Sequence, residues 1–439
     1  MRIAMNRNGF IKVALMLTIA GEVQSQSIVP VLNQTNSISL ITNGGGGPAT
    51  GANVWGYAFG DYAFVYHGDS AGRGTSMQYK GLGAQTGTKY QNAIEIRRAY
   101  LGFNYTINEK FSAYAVLDYQ GDYDVNNNRT VYLKFIYFKW KNIFKGSDLK
   151  IGQQATNSWA NAYNTEALMG YRCIEKTIMD MHKVDVSADM GIALDGKLWT
   201  NKHDDSARVP SFIGYSAMIG DNSGNVPVPV FTGARTPPNS TTDKDKKFRL
   251  NAFLNTLNGS LTVGAYADYI NYGGVAYKTS KLYQNATSTF KVYAAYNTIT
   301  FGFGIECFMQ NNTNGEIETY ASAPVKNDTV TASQAGISVF AHATIIADKL
   351  NVFARYDMYK PDAIYQYTPG EIYTSWLQPG ATWSETFISA GLDWTPVNDK
   401  KVHFMPNIWY YGIKNGYGSD FLKNDNYIIY RLSFLYSFK

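Results

Sequence analysis

The feature that most constrains the fold of this chain is an alternation of apolar and polar residues with a period of two. It is clearest in the last fourteen residues, NYIIYRLSFLYSFK, where every second position is apolar: Ile428, Tyr430, Leu432, Phe434, Tyr436 and Phe438. Side chains along a β-strand point alternately to opposite faces of the sheet. The pattern therefore predicts a final strand with one apolar face, continuing almost to the last residue.

The same alternation, rich in aromatic and β-branched residues, recurs in about sixteen segments. They lie near residues 53–66, 93–107, 111–121, 129–140, 148–154, 188–198, 210–220, 247–255, 260–270, 289–297, 299–310, 334–346, 350–360, 385–395, 401–412 and 426–438. We find no convincing amphipathic helix between them. The sequence thus predicts an all-β chain.

The connections between these segments alternate in length. Every second one is short, namely TINEK, NIFKGS, TLNGS, YNT, ADK and PVNDKK, with TNKHDDSARVP as a longer exception. The others are mostly long, at 68–92, 155–187, 221–246, 271–288, 311–333, 361–384 and 414–425. An even number of strands with all tight turns at one end predicts an up-and-down antiparallel barrel of the outer-membrane type, with both chain ends on the periplasmic side.

Composition agrees with a strand-built membrane protein. Charged residues make up 17% of the chain against roughly 25% in soluble domains, and aromatic residues reach 15%. The mature region has no stretch near the roughly 18 consecutive apolar residues of a membrane helix. In hydrocarbon every backbone polar group needs a partner, so strands can span only as a closed sheet. A secreted β-sandwich would also alternate, but sandwiches do not sort their loops by length so regularly.

The N-terminal residues predict a signal peptide at 1–25. Three basic residues precede the apolar run from Val13 to Ala20, and small and polar residues follow it. Its removal takes three basic residues and one acidic residue from a net charge of +5 and leaves about +3. A charge this small argues against nucleic acid as a partner. We expect export through the inner membrane to the cell outer membrane.

The remaining chain divides into two parts. Residues 26–50 contain Pro30 and a run of four glycines and predict a flexible periplasmic segment. Residues 51–439 contain all the predicted strands and form the predicted barrel. Only Cys173 and Cys307 occur, and the sequence leaves open whether they pair.

Several segments resemble the phosphate-selective porin family, the O/P type of Gram-negative outer membranes. They are AIEIRRAYLGFNYTINEKFSAYAVLDY, LKIGQQATNSWANAYNTEALMGYRCIEKTI, SADMGIALDGKL, NVFARYDMY and AGLDWTP, which lie between about residue 93 and the C-terminus. The resemblance implies a sixteen-stranded porin, often a homotrimer, that passes small anions. It also implies insertion by the barrel-assembly machinery and contact with outer-membrane lipid.

Alternation assigns the side chains that line the predicted pore. Leu101 and Phe103 should face lipid, so Arg98 should face inward, and the same rule applies along the chain. The basic lining residues are Arg98, Lys134, Lys150, Lys197, Arg249, Lys291, Arg355 and Arg431. The acidic ones are Asp61, Asp118, Asp195, Asp268, Glu306, Asp357, Glu385 and Asp393. This balance gives no net lumen charge, although the four arginines suit bidentate binding of phosphate or carboxylate.

The connection at 155–187 is the longest and the third on its side, where porins commonly fold a loop into the barrel. We therefore predict a constriction loop. We select from it the titratable residues Glu166, Arg172, Glu175, Lys176, Asp180, His182 and Lys183, enough charge to set a filter. The alternative is that this loop packs against neighbouring loops outside the pore.

Enzymatic chemistry is not expected. The five histidines lack the HxH or HExxH spacing that metal sites favour. Ser338 and His342 lie four apart on one strand, about 13 Å along the backbone, which is too far for proton transfer. We expect a channel for passive diffusion of small hydrophilic solutes, with a weak preference for anions such as phosphate and no cofactor. The alternative is a plugged or capped barrel that serves as a scaffold in a larger surface or secretion assembly.

Overall fold

The computed structural model describes most of the barrel region and one short piece before it. The described residues are 38–40, 51–68, 90–123, 129–158, 176–182, 184–201, 211–222, 245–276, 282–298, 300–320, 327–363, 371–374, 383–397, 401–415 and 424–438. The predicted signal peptide lies outside these ranges.

Within the described residues the chain forms eighteen strands and one short helix. The strands are β1 Ile38–Leu40, β2 Gly51–His67, β3 Gln91–Thr106, β4 Phe111–Tyr123, β5 Arg129–Phe144, β6 Ser147–Ala155, β7 Ala188–Thr200, β8 Phe212–Gly220, β9 Lys247–Thr256, β10 Leu261–Ala276, β11 Leu282–Asn297, β12 Phe301–Tyr320, β13 Asn327–Ile346, β14 Leu350–Lys360, β15 Glu371–Thr374, β16 Trp383–Trp394, β17 Val402–Asn415 and β18 Asp425–Phe438. The helix, α1, spans Ile178–Met181. No helix in the part of the chain described here is long and apolar enough to cross a membrane.

Sixteen of these strands, β2–β14 and β16–β18, form one closed antiparallel barrel. The ring closes where β18 pairs with β2, with Arg431 opposite Ala63 and Tyr436 opposite Ala58. Each of the sixteen segments predicted from alternation overlaps one of these strands. The predicted all-β, up-and-down antiparallel barrel of sixteen strands is confirmed.

Two connections predicted as long loops are largely strand. The ladder of β10 and β11 continues to the pairs Val275 with Tyr283 and Ala276 with Leu282. Likewise β12 and β13 pair as far as Thr319 and Asn327. The expected loops at 271–288 and 311–333 are therefore largely hairpin strands that project from the long-loop end. They were predicted as loops because their polar residues lack the apolar alternation by which strands were predicted. Strand β15 adds to the projecting part of β12.

The two faces of the wall differ as alternation requires. On β9, Phe248 and Leu250 are 52% and 53% exposed, whereas Arg249 between them is 2% exposed. On β14, Tyr356 and Met358 lie on the outside and Arg355 and Asp357 are buried. The outer surface is thus an apolar band, and the buried charged side chains of these two strands point into the barrel.

The seam between β18 and β2 is closed by rings packed over glycines. Phe438 lies opposite Gly56, and Phe434 lies opposite Gly60. A Cβ atom added at either glycine would overlap the facing ring, and at Gly60 it would also overlap the Glu95 carbonyl oxygen. Glycine is needed here because the aromatic side chains of the last strand occupy the space above it.

The segment before the barrel takes part in the sheet at one point. Ile38–Leu40, inside the predicted flexible region, pair antiparallel with Ala52, Asn53 and Val54 of β2. These β2 residues lie beyond the last residue that pairs with β18, so β1 occupies an edge that the final strand leaves uncovered.

Candidate functional site in the barrel interior

The structure places the predicted lining residues on the inner side of the wall, but their surroundings differ. On β8–β18 they are buried, with Arg249 and Arg355 each 2% exposed and Lys291 fully buried. On β3–β7 several remain accessible to solvent: side-chain exposure is 25% for Lys150 and 22% for Asp195. The interior thus has one packed wall and one accessible wall, which alternation alone does not distinguish.

Two cations share one buried carboxylate on the accessible wall. The Asp118 carboxylate accepts from Arg98 at 2.8 Å and lies 3.3 Å from the Lys134 ammonium. The Tyr132 hydroxyl donates to the same oxygen at 2.8 Å, and Lys134 donates to the Tyr100 hydroxyl. This group, the Asp118 cluster, carries one net positive charge and leaves the Tyr132 ring 37% exposed.

A second group of charges on this wall lies nearer the short-turn end. Lys139 pairs with Asp148 at 2.6 Å, and Lys150 pairs with Asp195. Lys197 is exposed and holds its ammonium 4.2 Å from the centre of the Phe212 ring. Lys139 and Asp148 are inward-facing charges that our list of lining residues did not contain. The alternation that places Lys150 inward on β6 also indicates Asp148, whereas Lys139 is out of phase with Lys134 because Lys134 is an extra residue in a β-bulge of β5.

A β-bulge turns a further arginine inward. Phe59 is opposite Arg98 and Gly60 is opposite Ile96, so Arg97 is an extra residue in β3. The Arg97 guanidinium lies 3.2 Å from the Asp61 carboxylate, which also accepts from Arg431 at 2.5 Å. Sequence reasoning placed Arg98 inward and missed Arg97. The signal was a change of apolar phase, from even positions at Ile94 and Ile96 to odd positions from Leu101 onwards.

The long connection after β6 enters the barrel. We call its described residues, 156–158, 176–182 and 184–187, the inner segment. Its two ends meet, because the Thr156 amide and hydroxyl donate to the carbonyls of Ser187 and Val186. Of the predicted constriction residues, Lys176, Asp180 and His182 belong to it, and Arg355 donates to the Lys176 carbonyl at 2.6 Å. Four others, Glu166, Arg172, Glu175 and Lys183, lie outside the described residues.

Polar contacts anchor the inner segment to the packed wall. Asp185 lies 2.9 Å from the Lys247 ammonium and accepts from the Arg249 guanidinium at 3.0 and 3.2 Å. Lys247 also approaches Asp268, and Arg249 also pairs with Asp189 at 2.7 Å. Asp185 was not among the sequence-predicted residues, yet it is the carboxylate that joins the segment to both cations.

Further anchors lie on either side of Asp185. The Lys291 ammonium donates to the Ser158 carbonyl at 2.7 Å and pairs with Glu306 at 3.3 Å. The Gln310 amide donates to the Val184 carbonyl at 3.0 Å. The segment is therefore held from several strands at once.

Apolar packing covers the other side of the segment. Thr177 caps α1 by accepting from the Asp180 amide. The side chains of Ile178, Met179, Met181 and Val184 are buried in one cluster with inward rings of the packed wall, among them Phe308, Phe340, Phe353, Tyr359, Phe387, Trp409, Tyr411 and Tyr427. This apolar core inside the barrel was not predicted.

Two titratable groups of the inner segment are strongly perturbed. Burial, together with the nearby Arg355 charge, lowers the pKa of His182 to about 3. His182 is thus neutral at pH 7 and stacks on the Tyr359 ring with 3.5 Å between ring centres, and its 3.6 Å approach to Glu385 is not an ion pair at that pH. Burial alone would raise the pKa of Asp185, but Arg249 and Lys247 outweigh burial and hold it below its usual range.

The remaining predicted groups have partners of their own. Ser338 donates to Asp357, and His342 contacts Asn297 at 3.1 Å, so these two do not meet each other. Asp393 lies 2.8 Å from His403. Cys307 is a free thiol on the outward side of β12, and Cys173 lies outside the described residues.

Comparison with known proteins shows the fold. No protein-family model matches the chain, and no curated protein is similar to it in sequence. Among solved structures, the anion-selective porin of Comamonas acidovorans matches with a TM-score of 0.54 at 10% identity, covering 89% of this chain and 100% of that chain. The outer membrane channel DcaP of Acinetobacter baumannii matches with a TM-score of 0.52 at 13% identity, covering 89% and 97%. OprB of Pseudomonas putida matches with a TM-score of 0.51 at 12% identity, covering 88% and 94%.

Proposed function

We propose that the chain is an outer-membrane porin that lets small hydrophilic solutes diffuse passively, with a preference for anions. The observation that carries this proposal is the closed sixteen-stranded barrel with an apolar outer band and partly exposed charges on the inner wall of β3–β7. A barrel of this size is wide enough for an aqueous channel. The fold similarity to an anion-selective porin and to an outer-membrane channel supports the same class.

The preference for anions rests on the accessible wall. Around the Asp118 cluster and the lysines near the short-turn end, five cations (Arg98, Lys134, Lys139, Lys150 and Lys197) face three carboxylates (Asp118, Asp148 and Asp195). Selectivity in pores follows the charges that a permeating ion meets. The buried pairs of the packed wall are balanced by close partners and contribute little to that field.

The inner segment is the proposed constriction, with Lys176 and His182 among its residues. The wider proposal includes a signal peptide at 1–25, a periplasmic segment at 26–50, insertion by the barrel-assembly machinery and a homotrimer in outer-membrane lipid. Membership of the phosphate-selective O/P family is proposed on the sequence segments quoted above.

Single-channel recording tests the function directly. The full chain is reconstituted in a planar lipid bilayer under a potassium chloride gradient, and conductance and reversal potential are measured before and after phosphate replaces chloride. We expect ohmic conductance and a reversal potential whose sign shows that anions pass more readily than cations. A reversal potential of the opposite sign, which shows cation preference, would contradict the proposed anion preference. A barrel that never conducts would contradict the proposed porin function.

The apolar core inside the barrel favours a second candidate, the capped scaffold. In that case the packed wall and the inner segment would block the lumen and the protein would act through partners. A silent barrel that copurifies with a fixed partner in stoichiometric amounts would support the scaffold.

A further inference from the structure

The accessible wall combines two kinds of group. Cations lie at two levels, in the Asp118 cluster towards the long-loop end and at Lys139, Lys150 and Lys197 near the short-turn end. On β5 these levels are separated by the seven residues from Tyr132 to Lys139, which is about 23 Å of extended strand. Inward-facing tyrosines lie between them.

Aromatic rings of β2–β5 lie next to one another along this wall, where the ring centre of Trp55 on β2 is 6.3 Å from that of Tyr114 and 6.2 Å from that of Tyr57. The Tyr114 and Tyr137 ring centres are 5.0 Å apart, and those of Tyr57 and Tyr100 are 4.7 Å apart. The Tyr132 ring, fixed by its hydroxyl on Asp118, is the most exposed of the inward rings on this wall. A solute that moves between the two cation levels therefore passes aromatic side chains.

Three of the four lysines at the two levels also lie near a ring. The Lys134 ammonium is 4.8 Å from the Tyr100 ring centre, Lys150 is 5.9 Å from Tyr137, and Lys197 is 4.2 Å from Phe212. These contacts hold the ammonium groups beside the aromatic surface. An anionic group bound at a lysine would thus have a ring surface within reach of the rest of the solute.

We propose that the inner wall of β3–β7 is a binding track for small organic anions that carry a flat aromatic ring. The anionic group is held by Arg98 at one level and by Lys150 or Lys197 at the other, and the ring stacks on Tyr132 and then on the Tyr114–Tyr137 surface. This inference rests on the proposed channel function and names the solute class. A bare inorganic anion uses only the cations, whereas a ring-bearing carboxylate uses both kinds of group.

The test compares two carboxylates of equal charge and similar size, benzoate and cyclohexanecarboxylate, as blockers of chloride current through the full chain in a planar bilayer. Offset stacking should lower the half-blocking concentration of benzoate about fivefold to tenfold relative to cyclohexanecarboxylate. Tyr132→Leu should remove most of this difference, whereas Tyr132→Phe, which keeps the ring, should retain it. Lys349→Gln removes a charge on the exposed turn between β13 and β14. This control variant should leave the half-blocking concentrations of both carboxylates unchanged.

The outcomes separate the two proposals. A channel that conducts chloride but is blocked equally by both carboxylates overturns the aromatic track and leaves the porin in place. Retention of the difference in both Tyr132→Leu and a Tyr137→Leu variant also overturns it. A chain that conducts no ion at all overturns the porin and the track together.

Discussion

The substitution Asp185→Asn should shift the docking equilibrium of the inner segment about a hundredfold towards the undocked state. Asp185 accepts hydrogen bonds from Arg249 and Ser158 and lies within 2.9 Å of the Lys247 ammonium. Asparagine keeps the shape but has one acceptor oxygen and turns an amide donor towards the cations. Lys247 and Arg249 keep a second carboxylate each, so neither becomes unpaired. The loss is then about two charge-assisted hydrogen bonds, roughly 3 kcal/mol, or about two orders of magnitude in the docking equilibrium.

Hydrogen exchange measures this loosening locally. The amides of Met181, His182 and Val184 donate to Thr177, Ile178 and Met179 within the segment, so they exchange only when it opens. In Asp185→Asn these amides should exchange about a hundredfold faster, while amides of the barrel strands keep their protection. Asp180→Asn removes the same charge from the same segment at a less buried position and should change exchange little. Equal rates in the two variants would refute the anchoring role of Asp185.

Three other substitutions test separate parts of the structure. Docking lowers the pKa of His182 to about 3, so the population of the open segment should increase as the pH falls below about 6.5. The increase should be up to about tenfold per pH unit until the docked pKa is reached. His182→Asn should abolish this pH dependence, as measured by hydrogen exchange between pH 7 and pH 5. Gly60→Ala should lower unfolding stability by about 1–3 kcal/mol through overlap at the seam, with Gly51→Ala, which meets nothing within 4 Å, as control. Lys291→Met should cost about 3–5 kcal/mol by leaving Glu306 buried without its cation, and adding Glu306→Gln should recover much of the loss in a denaturant titration.

The sign of the pH effect follows from which group titrates in that range. His182 is protonated more readily when the segment is undocked, so acid favours the undocked state. Asp185 has its pKa held below the usual range, so its stabilisation is present above about pH 4 and is lost only as the pH falls through its docked value. Between pH 7 and pH 5 the change therefore belongs to His182, which stacks on Tyr359, approaches Glu385 and lies near the Arg355 charge.

The number of strands and the direction of most side chains could be predicted because a closed sheet leaves each residue only two choices. Once Phe248 faces outward, Arg249 must face inward, and the structure shows this along β9. Prediction failed where the period itself breaks. At Arg97 one inserted residue shifts the register of β3, and the phase change between Ile96 and Leu101 was the available signal.

The accessibility of the lining residues could not be predicted from alternation. Lys291 and Lys150 occupy equivalent inward positions on strands of similar pattern, yet one is fully buried and the other is not. The difference comes from the inner segment, which docks on the packed wall by contacts that join residues far apart in the sequence. The prediction for this loop considered only its charged residues. It therefore did not include apolar residues such as Ile178 and Met181, which fill the core.

The balance of charge inside the barrel differs between the packed wall and the accessible wall. Eight basic and eight acidic residues were predicted inside the barrel, and a count over all of them gives zero. On β9–β14, however, the cations lie against carboxylates within about 3 Å in surroundings without solvent, where each pair is largely neutral to anything outside it. In the proposed channel, the field that a solute meets then depends on the charges around the Asp118 cluster and the short-turn lysines, where five cations face three carboxylates. The proposed preference for anions is thus compatible with a balanced interior, because folding the inner segment against one wall leaves an unbalanced set of charges on the other.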